Sequence, residues 1–232
     1  MRARRRPGRP RDRGPYVSIR PIAPYSMPAP SELPANTVNW TVGRGRGALL
    51  VHDMQRYFIA PFTAEESPRA DLVRNVVRLR KLFVELDMPV VFTAQPGNMT
   101  PPQRGLLADF WGPGMTDAAD QRGLIEELTA DGGRVFTKWR YSAFHGSGLL
   151  DHLRAQGRDQ LVVCGVYAHL GCLITAVDAF AHDIQPFFVA DAVADFSRAD
   201  HDLALTYAAE SCAMVTTTAA VLAHLHAPDG AG

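Results

Sequence analysis

Four polar or charged residues lie just past short apolar runs of this sequence, at Asp53, Gln95, Lys138 and Tyr167. If the runs are parallel strands, their carboxyl ends meet at one edge of a sheet, where α/β proteins bind ligands. An aspartate that follows an apolar strand loses solvation, which raises its pKa and suits it to donate a proton. We therefore predict a functional site at this edge of the sheet, with Asp53 as a candidate proton donor.

Each of these residues also has a purely structural explanation. Asp53 can cap a helix that begins at Met54, and Lys138 can extend its ammonium group into solvent from a strand end. Tyr167 can pack its ring and leave its hydroxyl in water. These alternatives stay open for each residue alone, whereas their meeting at one sheet edge favours a functional site.

Absent motifs argue against several other kinds of site. No GxGxxG follows the first apolar run, and neither GxxxxGK[ST] nor GxSxG occurs in the chain. This disfavours dinucleotide-binding, P-loop and α/β-hydrolase sites. The eight histidines include no HExxH pattern, so we expect no metal and no other cofactor.

The apolar pattern predicts an α/β fold. Six short apolar runs alternate with stretches of helical periodicity, which is typical of βαβ units. We expect a three-layer α/β/α fold, in which a roughly six-stranded parallel sheet lies between two layers of helices. The predicted strands are 48–51, 89–92, 134–136, 161–164, 187–189 and 213–215, and the predicted helices are 68–87, 118–130, 147–157, 170–182, 199–212 and 217–226.

The segment 95–117 shows no regular pattern and is rich in glycine and proline. A loop of this length inside a domain is usually functional. We predict that it is a mobile loop that closes over a ligand and brings Arg104 to it.

The ends of the chain differ in composition from its body. Residues 1–20 carry eight basic residues and one acidic residue, although the whole chain has a net charge of +0. We predict a disordered Arg-rich extension over 1–14, an extended proline-rich arm over 15–46, the α/β domain over 47–226 and a tail over 227–232.

Charge and cysteine content also bear on partners and location. A neutral chain without an apolar run long enough to span a bilayer suggests neither a nucleic-acid nor a membrane partner. The three cysteines are far apart and form no CxxC pair, which favours a reducing compartment such as the cytoplasm.

Longer stretches resemble the isochorismatase family. They run in family order from about Ala23 to Leu222 and include HDMQ at 52–55, DFWGPG at 109–114 and KWRYSAF at 138–144. The resemblance implies the Rossmann-like fold of that family. Within it, 95–100 looks closest to the phenazine-pathway hydrolase of 2-amino-2-deoxyisochorismate, whereas the Gly171-Cys172 pair is more similar to siderophore-pathway isochorismatases.

This resemblance implies hydrolysis of the enolpyruvyl vinyl ether of isochorismate or its 2-amino analogue. The products are pyruvate and a dihydro-hydroxybenzoate or the corresponding anthranilate. A homodimer acting on a free dianionic substrate is expected, with no fused carrier domain after the hydrolase domain. The expected catalytic residues are Asp53, Lys138 and Gly171, with Gly171 leaving room for the pyruvyl group, and the expected substrate-binding residues are Phe58, Gln95, Arg104, Trp111 and Tyr167.

Two other functions remain open at this point. The isochorismatase-like superfamily is similar to amidases that use a triad of Asp, Lys and Cys. If this protein were such an amidase, Cys172 would be its nucleophile. A non-catalytic docking protein could keep the same fold without turnover. The sequence does not separate isochorismate from 2-amino-2-deoxyisochorismate.

Overall fold

Six parallel strands form the centre of the computed structural model, which describes residues 19–128 and 130–227. They are β1 (Gly47–His52), β2 (Val90–Ala94), β3 (Gly133–Thr137), β4 (Gln160–Val166), β5 (Gln185–Ala194) and β6 (Met214–Thr216). Their order across the sheet is β3-β2-β1-β4-β5-β6. The predicted fold class is confirmed.

Both faces of the sheet are covered by helices, as a parallel sheet requires. The helices are α1 (Arg56–Ile59), α2 (Arg69–Glu85), α3 (Pro101–Arg104), α4 (Leu107–Trp111), α5 (Ala119–Arg122), α6 (Leu149–Ala155), α7 (Leu173–Ala181), α8 (Arg198–Ser211) and α9 (Thr218–His226). Helices α2 and α9 pack on one face, and α6, α7 and α8 pack on the other. The side chains of β1 alternate between these layers, with Leu49 and Val51 on the first and Ala48 and Leu50 on the second.

The strand order reverses between β1 and β4, which are adjacent in the sheet but not in the chain. Such a switch point leaves a crevice outside the carboxyl ends of the strands. His52 at the end of β1 lies opposite Gly165 in β4. The segments that follow β1, β2, β3 and β4 therefore converge here.

The prediction of a helix over 118–130 was wrong. Of the described residues in this range, only those of α5 are helical, and Leu124 just beyond it forms an antiparallel bridge with Gln55. The backbone also turns back to the site, because Ile125 N–H donates to the Met54 carbonyl. Tertiary contacts with the segment after β1 override the apolar periodicity here.

The segment 95–117 is more regular than predicted. It contains α3 and α4, each a short helix that ends at a glycine with positive φ, Gly105 and Gly112. Pro101 begins α3, where its fixed φ suits the first turn and its missing N–H costs no hydrogen bond. Proline and glycine thus mark the ends of two short helices instead of preventing helix formation.

Residues 19–46 run over the body mostly without regular structure. A 3₁₀ turn spans Pro30–Glu32, and Ile22 bridges to Phe62. The Tyr25 hydroxyl accepts a hydrogen bond from Asp195 N–H at 2.8 Å. Residues 1–14 and all but the first residue of 227–232 lie outside the described residues, so those predictions stay predictions. None of the helices in the described ranges is both long and apolar enough to cross a membrane.

Candidate active site

Asp53 lies at the centre of a buried polar cluster directly after β1. Its Oδ2 accepts a hydrogen bond from Lys138 Nζ at 2.8 Å, and its Oδ1 accepts one from Thr93 Oγ at 2.7 Å. Gln95 Nε2 lies 3.4 Å from Oδ2. Asp53 and Lys138 are 4% and 2% exposed, so this ion pair is shielded from water. Lys138 therefore does not extend into solvent, and the structural alternative for it is wrong.

The expected rise in the pKa of Asp53 is not found in the free protein. Burial raises the pKa of this carboxyl, but the Lys138 ammonium and the hydrogen bond from Thr93 outweigh burial, so the net pKa lies below its usual value. Loss of solvation alone, on which the prediction rested, therefore does not set this pKa. Thr93 was not predicted as a site residue although it directly follows the predicted strand 89–92, and in the structure it is part of β2.

One pocket contains every site residue that the sequence predicted. Its wall also includes residues that were not predicted, of which Tyr57 is next to Phe58 and Tyr141 lies within the KWRYSAF stretch. The predicted residues in the wall are Asp53, Phe58, Gln95, Arg104, Trp111, Lys138, Tyr167 and Gly171, and the further ones are Ile19, Tyr57, Leu107, Tyr141, Val166, Leu170 and Phe196.

Arg104 is built into the pocket wall instead of extending from a loose loop. It is 6% exposed, its Nε donates to the Gly112 carbonyl at 2.9 Å, and one terminal nitrogen lies 3.3 Å from Gln95 Oε1. Burial lowers the pKa of its guanidinium from a very high starting value, so it remains a cation. The pocket thus contains two buried cations, Arg104 and Lys138.

Gln95 is held by a second glutamine, the last residue of the HDMQ stretch, which was not predicted as a site residue. Gln55 is fully buried, and its Oε1 accepts a hydrogen bond from Gln95 N–H at 2.8 Å. Its Nε2 donates to the carbonyls of Gln95 and Arg122 at 3.0 and 2.8 Å. Gln55 therefore joins the segments after β1 and β2 and orients Gln95 toward the pocket.

Aromatic rings form much of the remaining wall. The Tyr167 hydroxyl donates to the Phe58 carbonyl at 2.6 Å, and its ring centroid lies 4.2 Å from that of Phe196. Trp111 Nε1 donates to the Tyr141 hydroxyl at 2.7 Å. Since the Tyr167 proton is already used, its hydroxyl can only accept a hydrogen bond from a ligand.

Gly171 lies in the turn that opens the helix after β4, a π-helical turn over Ala168–Cys172 that continues into α7. A Cβ atom built on Gly171 would lie 2.2 Å from Cε1 of His52. The space beside Gly171 that was expected to receive the pyruvyl group is thus taken by the His52 ring. Gly171 still lines the pocket through its backbone.

Cys172 does not present a thiol to the pocket. Its side chain is fully buried and absent from the pocket wall. Burial raises the pKa of the thiol well above its usual value, which disfavours the reactive thiolate. The geometry does not favour the cysteine-dependent amidase alternative.

Within residues 19–128 and 130–227, one group of side chains could approach a metal ion. His169, Asp195 and Asp200 offer ligand atoms within 4.8 Å of one another. Asp195 already accepts hydrogen bonds from the backbone and ring of His169, and Asp200 accepts one from Ser197. This group includes neither Asp53 nor Lys138. The expectation of metal-free catalysis at Asp53 stays a prediction.

Comparison with known proteins identifies the family. Residues 47–220 match the isochorismatase domain model. The chain is 56% identical over 202 residues to the phenazine biosynthesis protein PhzD1 of Pseudomonas aeruginosa, covering 87% of this chain and 97% of that protein. It is 49% identical over 210 residues to the isochorismatase of Bacillus subtilis, covering 90% and 67% respectively.

A solved structure supports the same fold. The crystal structure of a cysteine hydrolase from Pseudomonas syringae pv. phaseolicola matches with a TM-score of 0.73 at 23% identity, covering 83% of this chain and 97% of that chain. At this identity the likeness concerns the fold alone. Together with the domain match and the identities above, it leads to one conclusion: the chain belongs to the isochorismatase family of hydrolases.

Proposed function

We propose that this protein hydrolyses the enolpyruvyl vinyl ether of isochorismate or of 2-amino-2-deoxyisochorismate. The observation that carries the proposal is the Asp53–Lys138 pair in the wall of a largely apolar pocket whose lining residues include no cysteine, serine or threonine. A vinyl ether needs a proton and water, not a protein nucleophile. The names of the relatives, a phenazine biosynthesis protein and an isochorismatase, support the same substrate class.

The reaction begins with transfer of a proton from Asp53 to the terminal methylene carbon of the enolpyruvyl group. This carbon becomes a methyl group, and the positive charge is shared between the side-chain carbon and the ether oxygen as an oxocarbenium ion. Water adds to the side-chain carbon and gives up a proton to the Asp53 carboxylate, which restores the acid and leaves a hemiketal. The hemiketal collapses to pyruvate and the ring alcohol, so the ring keeps its own oxygen.

The low pKa of Asp53 in the free protein has to rise before it can act as an acid. A dianionic substrate supplies that change, because a like charge close to a carboxylate disfavours its ionised form. A substrate carboxylate also competes for the Lys138 ammonium. Binding of the substrate itself thus drives protonation of Asp53.

The pKa of Asp53 in the free protein and its pKa in the substrate complex can be measured separately. The profile of kcat against pH reports the complex, and a direct titration of the Asp53 carboxyl reports the free protein. We expect kcat to fall with rising pH at a clearly higher pH than the midpoint of the free carboxyl, measured by infrared difference spectroscopy against Asp53→Asn. Equal midpoints would contradict substrate-driven protonation.

We assign binding of a substrate carboxylate to the Arg104 guanidinium and to the side-chain amide of Gln95 beside it. Arg104 and Gln95 touch each other in the wall and offer N–H donors to a substrate carboxylate. Tyr167 accepts a hydrogen bond from the substituent on the ring, while Phe58 and Trp111 provide apolar contact. Gly171 permits close approach of the backbone, with His52 behind it.

The cellular setting is also part of the proposal. We place the protein in the cytoplasm as a homodimer in phenazine, siderophore or related secondary metabolism. The three cysteines are free and buried, which suits a reducing compartment. Light scattering coupled to size-exclusion chromatography tests the dimer, and a monomer at micromolar concentration would contradict it.

The decisive experiment compares turnover of the two candidate substrates, with pyruvate release coupled to lactate dehydrogenase. In D₂O we expect one deuterium in the methyl group of the trapped lactate. In ¹⁸O-water the label should enter the pyruvate carbonyl and not the ring hydroxyl. Label in the ring hydroxyl would mean displacement at the ring carbon, and absence of turnover with both substrates would favour the docking-protein alternative.

A further inference from the structure

His52 lies directly behind the pocket wall and is not itself part of it. It is the last residue of β1, is fully buried and precedes Asp53. Its Nδ1 lies 2.8 Å from the Val166 carbonyl, to which it donates a proton as a neutral ring. Burial lowers the pKa of the imidazole to about 4, so the ring is uncharged at neutral pH.

The His52 ring occupies the place where a side chain at position 171 would begin. A Cβ atom on Gly171 would lie 2.2 Å from Cε1, 2.9 Å from Nε2 and 3.1 Å from Nδ1 of His52. The Cε1 edge of the imidazole, with the nitrogen on each side of it, therefore lies against the glycine. The ring is held in this position because it is fully buried and donates to the Val166 carbonyl at the end of β4.

The same ring also borders the acid. Nδ1 of His52 lies 3.9 Å from Oδ2 of Asp53, the oxygen that accepts the Lys138 hydrogen bond. A side chain at 171 would consequently enter the space next to Asp53 and Lys138. A thiol placed there would lie close to an ammonium group, which favours the reactive thiolate.

We propose that His52 determines the reaction class of this pocket, because its imidazole keeps position 171 without a side chain and so keeps a nucleophile away from the Asp53–Lys138 pair. The inference deepens the proposed function, and it rests on that function only for the role of the pair in proton transfer. His52 is thus a specificity-determining residue that does not touch the substrate.

A double-variant cycle tests the steric part of the proposal. Gly171→Ala should lower the Tm, whereas His52→Ala combined with Gly171→Ala should recover part of the loss, because trimming the ring makes room for the new methyl group. His52→Asn combined with Gly171→Ala is the matched control, since asparagine is smaller than histidine and retains an N–H for the Val166 carbonyl. A double variant no more stable than the Gly171→Ala single variant would overturn the proposal.

Alkylation of a cysteine at position 171 tests the chemical part. Iodoacetamide labels a thiol when the thiolate sulfur attacks its methylene carbon and iodide leaves, and peptide mass spectrometry locates the label. We expect the His52→Ala, Gly171→Cys double variant to be labelled at 171 at least tenfold faster than the Gly171→Cys single variant at pH 7. Cys172, which is buried, is the internal control and should stay unlabelled in both.

These readouts do not depend on turnover, so they stand apart from the substrate assays. Equal labelling rates in the single and double variants would show that the ring does not guard position 171. A Gly171→Cys single variant that fails to fold while the double variant folds supports the proposal. If neither candidate substrate is turned over but the double variant recovers part of the Tm, the steric role of His52 is supported and the proposed reaction is contradicted.

Discussion

The two sides of the pocket are built in different ways. The inner wall consists of Asp53 and Lys138, which directly follow β1 and β3, and Thr93 of β2 lies behind it. Hydrogen bonds of 2.7 and 2.8 Å join Asp53 to Thr93 and to Lys138. The outer wall consists of residues from the arm, from the short helices α3 and α4, and from the segment after β3, namely Ile19, Arg104, Trp111 and Tyr141.

The difference in construction indicates that the inner wall carries out the chemistry and the outer wall binds the substrate. The inner wall contains a shielded ion pair on the rigid sheet, where a small change in charge shifts the pKa of Asp53. The outer wall comes from short helices and irregular segments, and hydrogen bonds such as that from Trp111 to Tyr141 hold it together. We therefore expect changes to the inner wall to lower kcat and changes to the outer wall to raise KM.

Asp53→Asn is expected to have the largest effect. Asparagine keeps the shape of the side chain but lacks an acidic proton, so kcat should fall by about 10²- to 10⁴-fold, the usual contribution of a general acid. Binding of the unreacted substrate, measured by calorimetry, should be retained. A kcat within threefold of the wild-type value would remove Asp53 from the proton transfer.

Lys138→Met tests how the inner wall is held together. Lys138 is the strongest of the groups that oppose the effect of burial on Asp53, so without its ammonium group the pKa of the carboxyl should rise above its usual value. The free energy of unfolding at pH 7 should fall by about 3–5 kcal/mol, as for other buried pairs that lose one partner.

The pH dependence of this loss has a definite sign. Because the pKa of Asp53 is lowered on folding, the pair stabilises the wild-type protein above the unfolded pKa of about 3.8 and loses that effect as pH falls through the folded pKa. Urea unfolding at several pH values should therefore show wild type and Lys138→Met converging in acid. A constant difference across pH would contradict the ion pair as the cause.

Arg104→Ala tests the outer wall. Loss of a charged hydrogen bond to the substrate costs about 1.5–3 kcal/mol, so KM should rise roughly 10- to 150-fold with a smaller change in kcat. Arg104→Lys is the control, because it keeps the charge but loses the fork of donors that reaches the Gly112 carbonyl and Gln95. If kcat falls alone with KM unchanged, Arg104 belongs to the chemistry and not to binding.

Tyr25→Phe tests whether the arm is a structural part of the outer wall. The substitution leaves the Asp195 N–H without its partner, so the free energy of unfolding should fall by about 1–3 kcal/mol. Because Ile19 of the same arm lines the pocket, KM should rise as well. Deletion of residues 1–14 is the matched control and should change neither quantity.

Cys172→Ala should have the smallest effect on activity. The thiol is buried behind the pocket, so kcat should stay within about threefold of wild type, far from the roughly 10³-fold loss or more expected on removing a nucleophile. Thermal unfolding should show a modest loss, since a buried atom is removed. A loss of activity on the nucleophile scale would revive the amidase alternative.

Much of the fold could be predicted because its strands are short apolar runs separated by helical periodicity. Each of the six predicted strands has a counterpart in the sheet, and the predicted helix 68–87 corresponds to α2. The failure at 118–130 has a physical cause, since Leu124 and Ile125 pair with the backbone after β1 instead of continuing α5. Local periodicity carries no information about such partners.

The parallel sheet and the edge at which Asp53, Gln95 and Lys138 meet could be predicted from the sequence, because they follow from residue order and apolar pattern along the chain. The family resemblance could be read from the HDMQ, DFWGPG and KWRYSAF stretches. The lowered pKa of Asp53 and the position of the His52 ring against Gly171 became visible only in the folded structure. Those depend on atoms that are distant in the sequence, because a pKa and a steric contact are set by whatever the fold brings within a few ångströms.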